Sequence, residues 1–156
     1  MKLNTIERAA MNNPIRAAHQ HHREAAWFRR LAGGDLTGQD VLETGCGRGV
    51  GSEVILDRLQ ARHVTAFDLD DTMVELARKR LHHRPVSLSV GDVCDIHQPT
   101  ASHDTVVDFG IIHHVPHWQL AVAEIARVLR PGGLLLFEEV PRRMLDTWAF
   151  RTFTVH

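Results

Sequence analysis

From Gln39 onward, short apolar runs alternate with stretches whose apolar residues recur at helical spacing. The runs lie at residues 41–42, 64–67, 86–90, 106–112 and 134–137. Between them the pattern predicts helices over 49–59, 71–81 and 116–129. In the last of these, Trp118, Ala121, Val122, Ile125, Val128 and Leu129 form the i, i+3, i+4, i+7 stripe of a helix laid on a sheet. Apolar strands alternating with helices predict a mostly parallel sheet covered on both faces. Right-handed crossovers make it doubly wound, an α/β fold. Ahead of this region the chain reads as one helix. Asn13-Pro14 is an N-cap and first-turn pair, and Gly33-Gly34 stops the helix near Leu31. Its stripe of Ile15, Ala18, Ala25, Phe28 and Leu31 is thin, so this helix is expected to lie on the body and not in its core. The expected organisation is a single domain, with a helical cap over 1–34 and an α/β core over 35–156.

Composition narrows the class. The chain has 156 residues, 44% hydrophobic and 24% charged, the mix of a soluble globular protein with one core. The formal net charge is −1, and a domain built to hold a phosphate backbone carries a basic excess, so nucleic acid is disfavoured as a partner. No stretch approaches the ~20 apolar residues of a membrane span. The N-terminus lacks the apolar segment of a secretory signal. Two cysteines, Cys46 and Cys94, form no CxxC pair, which argues against a thiolate zinc site and a disulfide framework and for a reducing cytoplasm. The lysines are two, Lys2 and Lys79, which leaves little room for lysine chemistry.

The sharpest local signal is the run Glu43-Thr44-Gly45-Cys46-Gly47-Arg48-Gly49-Val50-Gly51, after a predicted strand and before a predicted helix. Glycines allow a tight turn and a close approach of ligand to backbone. The helix start offers unpaired N–H groups to an anionic group. A dinucleotide fingerprint needs G-x-G-x-x-G, and the three registers fail at Val50, Ser52 and Val54. No G-K-[ST] tripeptide exists, so a P-loop is excluded as well. A ligand-free glycine turn stands as the alternative.

Two carboxylates extend the signal. Asp68 ends the second strand, 23 positions after Gly45, where a carboxylate accepts from both hydroxyls of a ribose. Its alternative role is the N-cap of the following helix, but Asp70 or Asp71 can serve there. Asp92 follows Gly91 at the end of the third strand, where it could accept from an exocyclic amine; a plain turn aspartate is the competing reading.

With these residues in place the chain resembles the class I S-adenosylmethionine (SAM)-dependent methyltransferases, in particular the small-molecule group that includes the ubiquinone-biosynthesis type. The matching stretches are VLETGCGRG, VTAFDLDDTMVELARKR, GDVCDI and HDTVVDFGIIHHVPHWQLAVAEIARVLRPGGLLLFEE, over about 39–139. The resemblance implies a Rossmann-like methyltransferase fold and SAM as the cofactor. It implies that Glu43, Gly45, Cys46, Gly47 and Gly49 line the methionine part of SAM, that Asp68 binds the ribose, and that Leu69 packs on the adenine. It implies further that Asp92, with Val93 beside it, takes the adenine amino group, and that Phe109 sits near the methyl sulfonium. Family members continue past the fifth strand with a helix and two antiparallel strands. Here a helix is expected over 141–153, with Met144, Leu145, Trp148, Ala149 and Phe153 as its stripe. The expected consequence is a truncated sheet with an open edge that self-associates, or a fragment of a longer chain.

Methyl transfer needs a base only if the acceptor must lose a proton. His113 and His114 follow the fourth strand, at the ligand-bearing edge, and are the catalytic candidates; a purely structural role for the pair is preferred. His113 and His117 are four apart, and His19, His21 and His22 cluster, but Pro116 interrupts a shared helix and nothing completes a ligand set, so no metal is expected. Cys46 has no partner base. Cys94 is not preceded by proline, and no Pro-Pro-aromatic signature follows the fourth strand, which counts further against nucleic acid. The function implied is methyl transfer from SAM to a small-molecule acceptor. The alternatives are a SAM-binding module without turnover and, weakened by the glycine spacing, an NAD-dependent oxidoreductase.

Overall fold

The apolar runs become five parallel strands. The computed structural model describes residues 23–138. In chain order these form α1 Ala25–Leu31, β1 Asp40–Thr44, α2 Val50–Asp57, β2 His63–Asp68, α3 Asp71–Arg80 and β3 Val86–Val90. There follow β4 His103–Asp108, a 3-10 turn Ile112–His114, α4 Trp118–Val128 and β5 Leu129–Phe137. The strand order is β3-β2-β1-β4-β5. The chain moves outward from β1 to β3, then returns beside β1 with β4, and the order reverses between β1 and β4. In doubly wound sheets ligands bind at the carboxyl ends of the strands flanking that reversal.

Alternation along each strand divides the core in two. Val41, Val64, Ala66, Val107 and Leu136 pack with α1, α2 and α3 residues such as Phe28, Val54, Ile55 and Ala77. Leu42, Phe67 and Val106 pack on the other face with Ala121, Ile125 and Val128 of α4. Val41, Leu42, Val106 and Val107 have no exposed surface, as expected of two strands paired on both sides.

The structure corrects four expectations. Ala25 and Phe28 of α1 belong to the core, because the Phe28 ring packs on Phe109 with centroids 5.4 Å apart. Leu31, expected in the same stripe, points outward and is 69% exposed. The fourth strand spans His103–Asp108 and not 106–112. It stops because Asp108 Oδ1 accepts from the N–H groups of Gly110 (2.7 Å) and Ile111 (2.8 Å), a local turn that competes with the ladder. The fifth strand begins at Leu129, directly after α4, and a register shift opposite His103 and Thr105 takes up Pro131, Gly132 and Gly133. On α4 the buried stripe is Ala121, Ile125 and Val128; Trp118 and Val122 stand exposed on its flank. The first part of the N-terminal helix and the helix expected over 141–153 lie outside the described residues.

Candidate functional site

The carboxyl ends of β1, β2 and β3 are tied to one another by backbone and one side chain. The glycine turn after β1 carries left-handed φ at Gly45 (+67°), Gly47 (+50°) and Gly49 (+85°), and Gly49 is the N-cap of α2. Cys46 N–H donates to Phe67 O (2.9 Å), and Gly47 N–H donates to Asp68 Oδ2 (2.8 Å). Asp70 N–H donates to Asp68 Oδ1 (2.9 Å), and Gly91 N–H donates to Asp68 O (3.0 Å). Asp68 therefore joins three loops. Burial raises its carboxyl pKa, and the Asp70 and Gly47 N–H donors work against that rise. The N-cap task falls to Asp70, which accepts from Thr72 N–H at 3.0 Å.

Beneath the turn, Glu43 is 1% exposed. Ser52 Oγ donates to its Oε2, linking the end of β1 to the first turn of α2. Burial pushes its pKa up to about 8, with Asp68 and Asp108 adding to the rise and the Ser52 bond opposing it. A Cβ on Gly51 would lie 2.0 Å from Glu43 Oε1 and 2.7 Å from the Phe109 ring, so only glycine fits there.

In front of the turn opens a cleft of about 240 Å³, and Gly45, Asp68, Leu69, Asp92 and Val93 line it together with His114. Phe67, Gly91 and Cys94 line it as well. Ile111, Val115, Pro116 and His117 form the wall after β4. Leu69 is 40% exposed, and Asp92 is exposed while its Oδ1 accepts from Cys94 N–H (2.8 Å), so it is a turn aspartate that also faces the cleft.

The remaining expected residues are placed elsewhere. Glu43 lies under the turn. Cys46 is buried, its thiol pointing to Gly47 O (3.7 Å), and burial first, then Glu43 and Asp68, push the thiol pKa up. Gly47 and Gly49 belong to the turn but not to the lining, and a Cβ on Gly47 would meet nothing within 4 Å. Phe109 is 5% exposed and packs between Phe28 and Gly51. The His113 and His114 rings lie with centroids 4.0 Å apart, tilted by 42°, and of the two only His114 lines the cleft. Among the described residues no helix is long and apolar enough to cross a membrane, and no group of three or more His, Cys, Asp and Glu is arranged to hold a metal.

Ser52 and Ile111 were not legible as site residues. Ile111 Cγ2 reaches to 2.5 Å from where a Cβ on Gly45 would stand, a contact made between two loops far apart in sequence. The helix pattern marked position 52 only as a residue of α2.

Comparison with known proteins is consistent with this geometry. Residues 42–137 match the family model described as a methyltransferase domain. The chain is 39% identical over 119 residues to a probable S-adenosylmethionine-dependent methyltransferase of Mycolicibacterium smegmatis, covering 72% of this chain and 45% of that protein. It is 31% identical over 115 residues to a fatty-acid O-methyltransferase of the same organism, covering 73% of this chain and 42% of the relative. The chain thus spans less than half the length of these two curated relatives. A protein from Pyrococcus horikoshii superposes with a TM-score of 0.76 at 21% identity, over 92% of this chain and 69% of that one, a likeness of fold.

Proposed function

Since the chain belongs to the methyltransferase domain family, we propose that it binds SAM in the β1–β2–β3 cleft and transfers its methyl group to a small-molecule acceptor. One observation carries this reading: the glycine turn and the carboxylates of Asp68 and Asp92 border a single cleft at the carboxyl ends of adjacent strands. The fit is favourable. Gly47 leaves open space above the turn, Asp68 and Asp92 offer acceptors to a ribose and an amino group, and Leu69 offers an exposed apolar face to a base. Val93 backs the same wall.

In this reading Asp68 holds the ribose while it keeps the turn in shape. Gly45, Gly47 and Gly49 let the bare backbone of the turn come close to the methionine part of SAM, with α2 behind them. Glu43, Cys46 and Phe109 act from beneath, packing the turn against β1 and α1. SAM supplies an activated methyl carbon; the chain's own residues align it and exclude water. Two unpaired thiols suit a reducing cytoplasm, where we place the protein. We also take the outer edge of β5 as a surface for a second copy, and residues 1–34 as a cap on the 35–156 core.

Calorimetric titration with SAM, paired with detection of S-adenosylhomocysteine, tests the reading. Binding with turnover supports it. Binding without turnover marks a SAM-binding module, and absence of binding sinks the assignment.

A further inference from the structure

Charge is spread unevenly along the chain. Residues 1–34 hold six lysines and arginines against two glutamates, whereas residues 35–156 hold twelve against seventeen aspartates and glutamates. The basic excess therefore gathers at the end that carries α1, in a chain whose net charge is −1.

The two sides of α1 differ. Ala25 and Phe28 face the core, and the Phe28 ring meets Phe109 directly after β4. On the outer side Trp27 is 55% exposed and Leu31 69%. Arg23, in the turn before the helix, and Arg30 are exposed too, and they stand four and three positions from Trp27. Over 23–31 the one acidic residue is Glu24, and it is 2% exposed, so the outer side shows arginine and no carboxylate. Arg29 pairs with Asp35 at 3.5 Å, while Arg23 and Arg30 form no ion pair among the described residues. We propose that the outer side of α1 docks on an anionic lipid surface, with Trp27 and Leu31 entering the headgroup boundary and Arg23 and Arg30 meeting lipid phosphates.

The chemistry of this face selects lipid over protein. Trp27 and Leu31 gain free energy wherever their apolar surface leaves water. A protein groove would cover them, but it would also strip water from Arg23 and Arg30 unless it supplied matching carboxylates. A lipid boundary meets both needs. A tryptophan ring settles at headgroup level, and an arginine lays its stem on apolar surface with its guanidinium among phosphates. Charge then sets the orientation. An anionic surface attracts the basic end and repels the acidic remainder, so α1 leads the approach. The helix lies on the membrane and does not cross it, as a helix with arginines on its outer side must. Its inner side rests on Phe109, so α1 stands between the lipid and the head of β4.

The test mixes the whole chain, without SAM, with vesicles of phosphatidylcholine alone or of phosphatidylcholine with phosphatidylglycerol, and reads the bound share by flotation. The chain should bind the anionic vesicles and not the neutral ones, and raised salt should release it. Arg23→Gln combined with Arg30→Gln should weaken binding about 20- to 30-fold, at about fivefold per cation. Trp27→Ser and Leu31→Ser should each weaken it about tenfold or more. All four positions are exposed, so the variants should melt as the parent does. Trp118→Ser removes an exposed tryptophan of α4 and should leave vesicle binding unchanged. With Trp118 and Trp148 both replaced by Phe, Trp27 is the remaining tryptophan, and its emission should move to shorter wavelength when anionic vesicles are added. Should a serine variant melt early, the arginine pair and the Trp27 emission still decide. No binding to anionic vesicles, equal binding to both kinds, or binding unaltered by the α1 variants would overturn the proposal. So would sedimentation showing that Trp27 instead joins two copies of the chain.

Discussion

The carboxylate of Asp68 and the backbone N–H of Gly47 meet at 2.8 Å, so a side chain that borders the cleft also anchors the glycine turn. Its other oxygen holds Asp70 N–H, and Asp70 in turn caps α3. Cleft lining and scaffold are therefore one residue. Its replacement should affect both ligand affinity and the order of the turn.

Asp68→Ala removes a charged acceptor and should weaken SAM by about 1.5–3 kcal/mol, the range for hydrogen bonds to charged groups. Asp68→Asn keeps one acceptor oxygen and should fall between the parent and Asp68→Ala. Calorimetric titration of the three proteins decides it; equal affinity in all three would remove Asp68 from the site.

Glycine substitutions should separate scaffold from binding surface. Gly51→Ala drives a methyl into Glu43 Oε1 and the Phe109 ring, both held in the core, so the melting temperature should drop sharply. Gly47→Val meets open space, and its left-handed φ of +50° costs about 1–2 kcal/mol. It should fold and yet fail to bind SAM, since the side chain would occupy room above the turn. A Gly47→Val chain that binds SAM normally would contradict the proposed placement.

The difference between these glycines bears on what the sequence makes legible. The carboxyl ends of the first three strands follow from periodicity, and topology then fixes what sits at them. This is why Gly45, Asp68 and Asp92 could be assigned to one edge before any coordinates. What one residue touches across the fold does not follow from spacing. The glycine pattern marked Gly47 and Gly51 alike, but only the packing of Glu43 and Phe109 distinguishes them. Phe28 read as part of a stripe resting on the body and not in its core for the same reason, since its partner Phe109 is far away in sequence. The start of β5 was hidden by Pro131-Gly132-Gly133, which reads as a turn. An outer strand tolerates such residues because one side of its ladder needs no donor.

Glu43 gives a pH prediction. Its folded pKa of about 8 lies above the ordinary carboxyl value of 4.5. Between these values the folded chain holds a proton that the unfolded chain has released, so stability falls as pH rises from 4.5 towards 8 and then levels. Glu43→Gln keeps the shape without the titration. Its melting temperature relative to the parent should therefore improve steadily from pH 5 to pH 8, at about 2–4 °C per kcal/mol recovered. A difference between the two proteins that does not change with pH would show that Glu43 is not the titrating group.

The last prediction concerns β5. It pairs with β4 through Thr105–Leu134 to Asp108–Phe137, and among the described residues no strand pairs with its other side. Leu134 and Phe137 are 37% and 52% exposed. Alternation places them on opposite faces of the sheet, so apolar surface flanks the open ladder above and below. Such an edge is a template for another chain, and a single inward lysine is an established way to blunt one. The 156-residue chain should therefore self-associate with rising concentration in sedimentation and bind a hydrophobic dye. Leu134→Lys should reduce both signals while leaving the β4 pairing, which is made by backbone, in place. A monomer at every concentration, silent to the dye, would mean that the β5 edge is covered within the chain itself.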